Sequence, residues 1–179
     1  MKKVKPSDVI PKRINIYGVY HINVEWEALH YILNRYKKTY NLELNPDFQR
    51  GHVWTEQQQI AYVEYALSGG YSGKDIFFNY PNWQKDYNKN NVMVCVDGLQ
   101  RLTAVQKFMA NDLKVFQKYY ANDFTCIPTY CDFIFYVNGL KNYADVLKWY
   151  LEMNSGGTPH SQEELDRVRA LYDKQIKTI

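Results

Sequence analysis

The stretch Val92-Met93-Val94-Cys95-Val96-Asp97-Gly98-Leu99-Gln100-Arg101-Leu102-Thr103-Ala104-Val105 constrains the fold more than any other part of the chain. The apolar run Val92–Val96 contains no polar position, so it predicts a strand buried on both faces rather than one that alternates against water. The run breaks at Asp97-Gly98. Leu102, Val105, Phe108 and Met109 then recur at the spacing of one helix face. The segment reads strand, tight turn, helix, and places Asp97, Gln100 and Arg101 at a helix start. Unpaired N–H groups and the helix dipole make such a start attractive to anions, and a glycine there lets a ligand approach closely. Arg101 in the first turn opposes the dipole by roughly 0.3–1 kcal/mol, which an anion held between the guanidinium and the N–H groups would offset. Without a ligand, Asp97 would cap the helix and Arg101 would pair with a surface carboxylate.

The chain has 179 residues and is 46% hydrophobic, enough to bury a core as a single domain spanning 1–179. Its net charge of +3 permits a polyanionic partner but is far below that of a protein built to coat DNA. The 17 tyrosines, with 8 Phe and 4 Trp, are expected mostly in the core, with some rings left to stack on bases. Cys95, Cys126 and Cys131 form no close CxxC pair, which argues against a disulfide framework or a zinc ribbon. No apolar run approaches the roughly 20 residues of a membrane span, and Met1-Lys2-Lys3-Val4-Lys5-Pro6 lacks the apolar segment of a signal peptide. A soluble protein of the cytoplasm is expected.

Along the chain, Ile14, Ile16 and Val19 suggest a short strand after a basic, solvated terminus. Residues 25–38 carry Trp26, Leu29, Ile32, Leu33 and Tyr36 on one helix face. Residues 44–54, between Pro46 and Gly51, read as an irregular loop dense in polar and aromatic groups. Thr55 and Gln58 form a capping box for a helix ended by Gly69-Gly70, with Ile60, Val63 and Leu67 inward. Residues 76–80 read as a strand, 82–91 as a polar, mobile loop, and 133–137 as a second buried strand. Asn142 caps a helix carrying Val146, Leu147, Tyr150 and Leu151. After the Gly-rich stretch 153–160, Ser161 and Glu164 form another capping box, opening a helix with Leu165, Val168, Leu171 and Tyr172 inward. The fold class is α+β, a small mixed sheet packed with several helices.

Three stretches taken together, Pro46-Asp47-Phe48-Gln49-Arg50-Gly51-His52-Val53-Trp54, Asp97-Gly98-Leu99-Gln100-Arg101-Leu102-Thr103 and Asn154-Ser155-Gly156-Gly157-Thr158-Pro159-His160-Ser161 with Glu163-Glu164-Leu165, resemble the N-terminal domain of GmrSD-type restriction systems. The resemblance spans roughly residues 20–172 and implies a ParB/sulfiredoxin-like fold. It further implies that the Asp-Gly turn binds nucleoside triphosphates, with hydrolysis dependent on Mg²⁺ as the accompanying activity. Carried over by motif, Gly98 and Arg101 become nucleotide-binding residues with Gln49, Arg50 and Asn154 as neighbours, and Asp97, Gln100 and Arg101 become catalytic candidates. In those roles two arginines would neutralise phosphate charge, Asp97 would hold Mg²⁺ or orient a water, and Gln100 would position that water. Each has a structural alternative: ion pairs for Arg50 and Arg101, a cap for Asp97, a loop brace for Gln49. Phe48 and Trp54 are expected as core anchors, and His52 and His160 as loop groups.

Where the family has a first glutamine in the turn, this chain has Leu99, which separates binding from turnover. The reductase cysteine of sulfiredoxin would fall on the same residue, so that chemistry is not expected. The chain also ends soon after the third motif, without the His-Asn-His nuclease residues of family members that cut DNA; a stand-alone copy acting with a nuclease or host-protein partner is the expectation. Its setting would be restriction and defence, or phage counter-defence. Two other functions stand beside nucleotide binding: a DNA-binding or nicking module, and a non-catalytic interaction protein that keeps the fold as an inhibitor.

Overall fold

The computed structural model describes Val9, Gly18 and residues 20–49, 53–81, 83, 88, 90–154 and 162–176, the side chains of 162–164 excepted. The described elements are β1 (Tyr20–Glu25), α1 (Trp26–Tyr40), α2 (Glu56–Leu67), β2 (Asp75–Asn79), β3 (Val94–Asp97), α3 (Leu99–Met109), a 3-10 turn (Ala121–Asp123), β4 (Asp132–Asn138), α4 (Tyr143–Asn154) and α5 (Gln162–Ile176). The strands form one mixed sheet in the order β1-β4-β2-β3. Its central pair, β2 and β4, is parallel, and each outer strand is antiparallel to its neighbour.

Side chains of β2, β3 and β4 are divided between two cores. Ile76, Phe78, Cys95, Phe133, Phe135 and Val137 face a large cluster with Leu29, Leu33 and Tyr36 of α1, Val63 of α2 and Leu102, Val105 and Phe108 of α3. Phe77 and Val96 face the opposite way, into a second cluster with Leu147, Trp149 and Tyr150 of α4 and Val168 of α5. The sheet is therefore the middle of three layers. That arrangement explains the absence of polar alternation in β3, since Cys95 and Val96, successive residues, are both fully buried.

The α+β expectation holds, and so do the helices around 25–38, 55–67 and 99–109. The Thr55–Gln58 capping box is present in both directions, at 2.9 and 3.3 Å. Two boundaries differ. The strand expected from Val92 begins at Val94, and Val92 is 40% exposed, because the Met93 backbone is taken by loop partners: its N–H donates to the Tyr40 carbonyl and its carbonyl accepts from Glu43 N–H. At the other edge the strand is Tyr20–Glu25; the one expected over 14–19 lies outside the described residues, as do most of 82–91, the Gly-rich stretch and the Ser161–Glu164 box. Asn142 meets α4 with its carbonyl, which accepts from Val146 N–H at 3.3 Å, while its amide donates to Asp145.

Candidate functional site

The β3–α3 turn lies at the end of the sheet where β2 begins. Phe77 is the register partner of Asp97, and an irregularity follows it in the ladder, so the last residue of β3 turns away with Asp75 nearby. Gly98 is the N-cap of α3 in the left-handed region, φ 105°, and it provides no side-chain cap. A β-carbon at Gly98 would lie 2.5 Å from Ile76 Cδ1 and 3.4 Å from an Arg101 nitrogen. Only glycine fits there, on conformation and on space.

Asp97 does not cap the helix. Its Oδ2 accepts from Arg101 Nη2 at 2.6 Å, across one helical turn, and both side chains remain partly open to solvent. The guanidinium thereby folds back over the start of α3, meeting the opposed dipole with a carboxylate of the same turn. Asp75 joins this pair electrostatically. Burial raises its carboxyl above the ordinary range, the Arg101 charge opposes that rise, and the Asp97 charge adds to it. Tyr62 closes the side of the cluster, its hydroxyl donating to the Gly73 carbonyl at 2.9 Å; burial raises that phenol.

The loop 44–49 and residues 53–54 cross this turn and are clasped to it by two amides. Gln49 Nε2 donates to the carbonyls of Cys95 and Val96, at 3.2 and 2.8 Å. Gln100 Oε1 accepts from Val53 and Trp54 N–H, at 3.0 and 3.1 Å. The first and second motifs are thus one unit, with Phe48 fully buried against Tyr150 and Trp54 packed on Tyr62. Gln49, Asp97, Gly98, Gln100 and Arg101 come together; Arg50 lies outside the described residues. Asn154 ends α4 with its amide donating to the Tyr150 carbonyl of its own helix at 2.7 Å.

A family model for the GmrSD restriction endonuclease N-terminal domain matches residues 29–126, more than half of the chain. The chain belongs to this family. No curated protein and no solved structure matches it. The matched span in this GmrSD-type domain runs from α1 through the 3-10 turn, so it holds the first two motifs and the clasp between them.

Sequence reasoning missed the support that reaches the first motif from outside that span. Arg167 of α5 donates to three successive carbonyls, those of Asp47 (2.6 Å), Phe48 (3.1 Å) and Gln49 (3.2 Å). The Tyr143 hydroxyl donates to Asp47 Oδ1, and burial together with that bond raises the phenol. These pairs are separated by 96 to 120 residues, and no local pattern announces them.

Among the described residues no group of three or more His, Cys, Asp or Glu is gathered to hold a metal by protein alone. Asp97 and Asp75 are carboxylates that interact electrostatically, and they are the residues at this turn that would hold Mg²⁺ if a phosphate ligand supplied further oxygens. No helix among the described residues is long and apolar enough to cross a membrane.

Proposed function

We propose that the turn from Asp97 to Arg101 binds the phosphates of a nucleoside triphosphate, in a restriction or defence setting shared with the family. The observation that carries this reading is the start of α3, where left-handed Gly98 brings no side chain to cap the helix and the Asp97–Arg101 pair stands beside it. An anion arriving there gains the helix start and the guanidinium together. Arg101, released in part from Asp97, would turn toward the phosphates; Asp97, relieved of its partner and next to Asp75, would take the Mg²⁺ that neutralises them. Gln49 and Gln100 clasp residues 49 and 53–54 to the turn, and Arg50, carried over by motif, is proposed as the second cation. Asn154 reaches the ligand only if it gives up its bond within α4.

Hydrolysis and binding separate at Leu99. Its side chain is buried in the main core, where the family's glutamine would offer a polar group, and this favours a second reading in which nucleotide is bound without turnover. Titration with each fluorescent nucleoside triphosphate in Mg²⁺, repeated with Arg101→Ala, tests the site. Loss of a charge-assisted contact is expected to weaken binding by about tenfold or more, and unchanged affinity removes the assignment. Phosphate release at saturating nucleotide distinguishes the two readings.

A further inference from the structure

The connection between α3 and β4 carries a feature that the motifs do not use. Phe116 and Gln117 are both left-handed, with φ of 49° and 62°. They form the tip of a small hairpin in which the N–H groups of Lys118 and Tyr119 donate to the Val115 carbonyl, at 3.1 and 2.9 Å. A turn with two consecutive left-handed residues ordinarily uses Asn and Gly, because a bulky side chain is strained there. The surroundings hold the tip in place. Phe116 N–H donates to Glu64 Oε1 at 2.5 Å, Leu113 and Val115 are buried, and Asn122 N–H donates to Asn111 Oδ1 at the hairpin base.

The core does not use the ring so positioned: Phe116 is 43% exposed. Lys114 and Lys118 flank it in sequence, each cation over a tyrosine ring, Tyr120 at 5.1 Å and Tyr119 at 5.3 Å. Residues 113–120 include no acidic side chain, and two carboxylates that reach the hairpin, those of Glu64 and Asp123, each accept one of its backbone N–H groups, from Phe116 and Tyr120. A half-exposed apolar ring on a hydrogen-bonded tip, with a cation two residues to each side in the chain, fits a partner whose apolar interior is bordered by negative charge. Stacked base pairs bordered by phosphates have that form.

We propose that the hairpin from Lys114 to Tyr120 is a duplex-DNA contact, with Lys114 and Lys118 on phosphates and Phe116 as a wedge against a base step. A pre-set, strained tip suits a duplex, which must be opened at the point of insertion; a single strand offers its bases to any flat ring. This contact uses no residue of the nucleotide turn and stands whether or not nucleotide is bound.

The test is anisotropy of the full chain with a short labelled duplex and the matching single strand over a salt series, alongside thermal melting. Lys114→Gln with Lys118→Gln is expected to reduce the slope of log affinity against log salt by about 1.8, two phosphates at roughly 0.9 each. Phe116→Asn relieves the left-handed strain, so a higher Tm together with at least about tenfold weaker duplex binding is expected. A residue serving only the fold would lose both together. The proposal is overturned by no duplex binding, by an unchanged salt slope, by a lower Tm in Phe116→Asn, or by a single strand bound as tightly as the duplex.

Discussion

Asp75 shows how one side chain can tax the fold where three polar groups crowd one end of the sheet. Its carboxyl is raised, by burial first and by Asp97 second, with Arg101 opposing. A raised acid binds more protons folded than unfolded, so its charging destabilises the fold as pH climbs from the ordinary value of 3.8 through the raised one. Asp75→Asn should therefore match the parent at pH below that window and exceed it at neutral pH, with Tm higher by on the order of 2 °C. Melting of both proteins across pH checks this, and a gain that appears only in acid would contradict it. At this scale the sequence was readable where chemistry is local: Asp-Gly as a sharp turn, Thr55 with Gln58 as a cap. The direct pairing of Asp97 with Arg101 was not legible, because residue spacing alone does not decide between a cap and an ion pair.

At the scale of elements, α5 steadies the loop that carries Gln49. One guanidinium satisfies three carbonyls in a row, a task that suits its planar fork of donors and not a lysine ammonium. Arg167→Ala should cost about 1–3 kcal/mol and speed amide exchange in residues 47–54 before other segments; Arg167→Lys should recover only part of either. Exchange unchanged in that loop would show that the clasp of Gln49 and Gln100 holds it alone. The helices were legible through their apolar periodicity and caps. The start of β3 was not, since a continuous apolar run carries no mark of where the ladder begins, and Met93 is claimed by Tyr40 and Glu43 instead.

The whole molecule is a sheet between two cores, and its thiols report on that arrangement. Cys126 is exposed, whereas Cys95 and Cys131 are buried, with burial pushing the Cys131 thiol up to about 11 and the Cys95 thiol higher still. Thiolate being the reactive form, native protein should label at Cys126 alone, and Cys95 should follow only with global unfolding in denaturant, as mass spectrometry of the alkylated chain would read. Labelling of Cys95 before that transition would mean that β3 opens independently of the rest. The two-sided burial of the sheet was foreseeable from Val92–Val96; the division of labour between the helix layers was not, because it is set by contacts between distant parts of the chain. One closure has a further effect. Glu43 bridges to Val94, its N–H bonded to the Met93 carbonyl and its carbonyl to Cys95 N–H, so the free rim of β3 is already occupied by the protein's own backbone. A neighbouring copy has no open ladder to extend at that rim, and strand-by-strand polymerisation through it is forestalled.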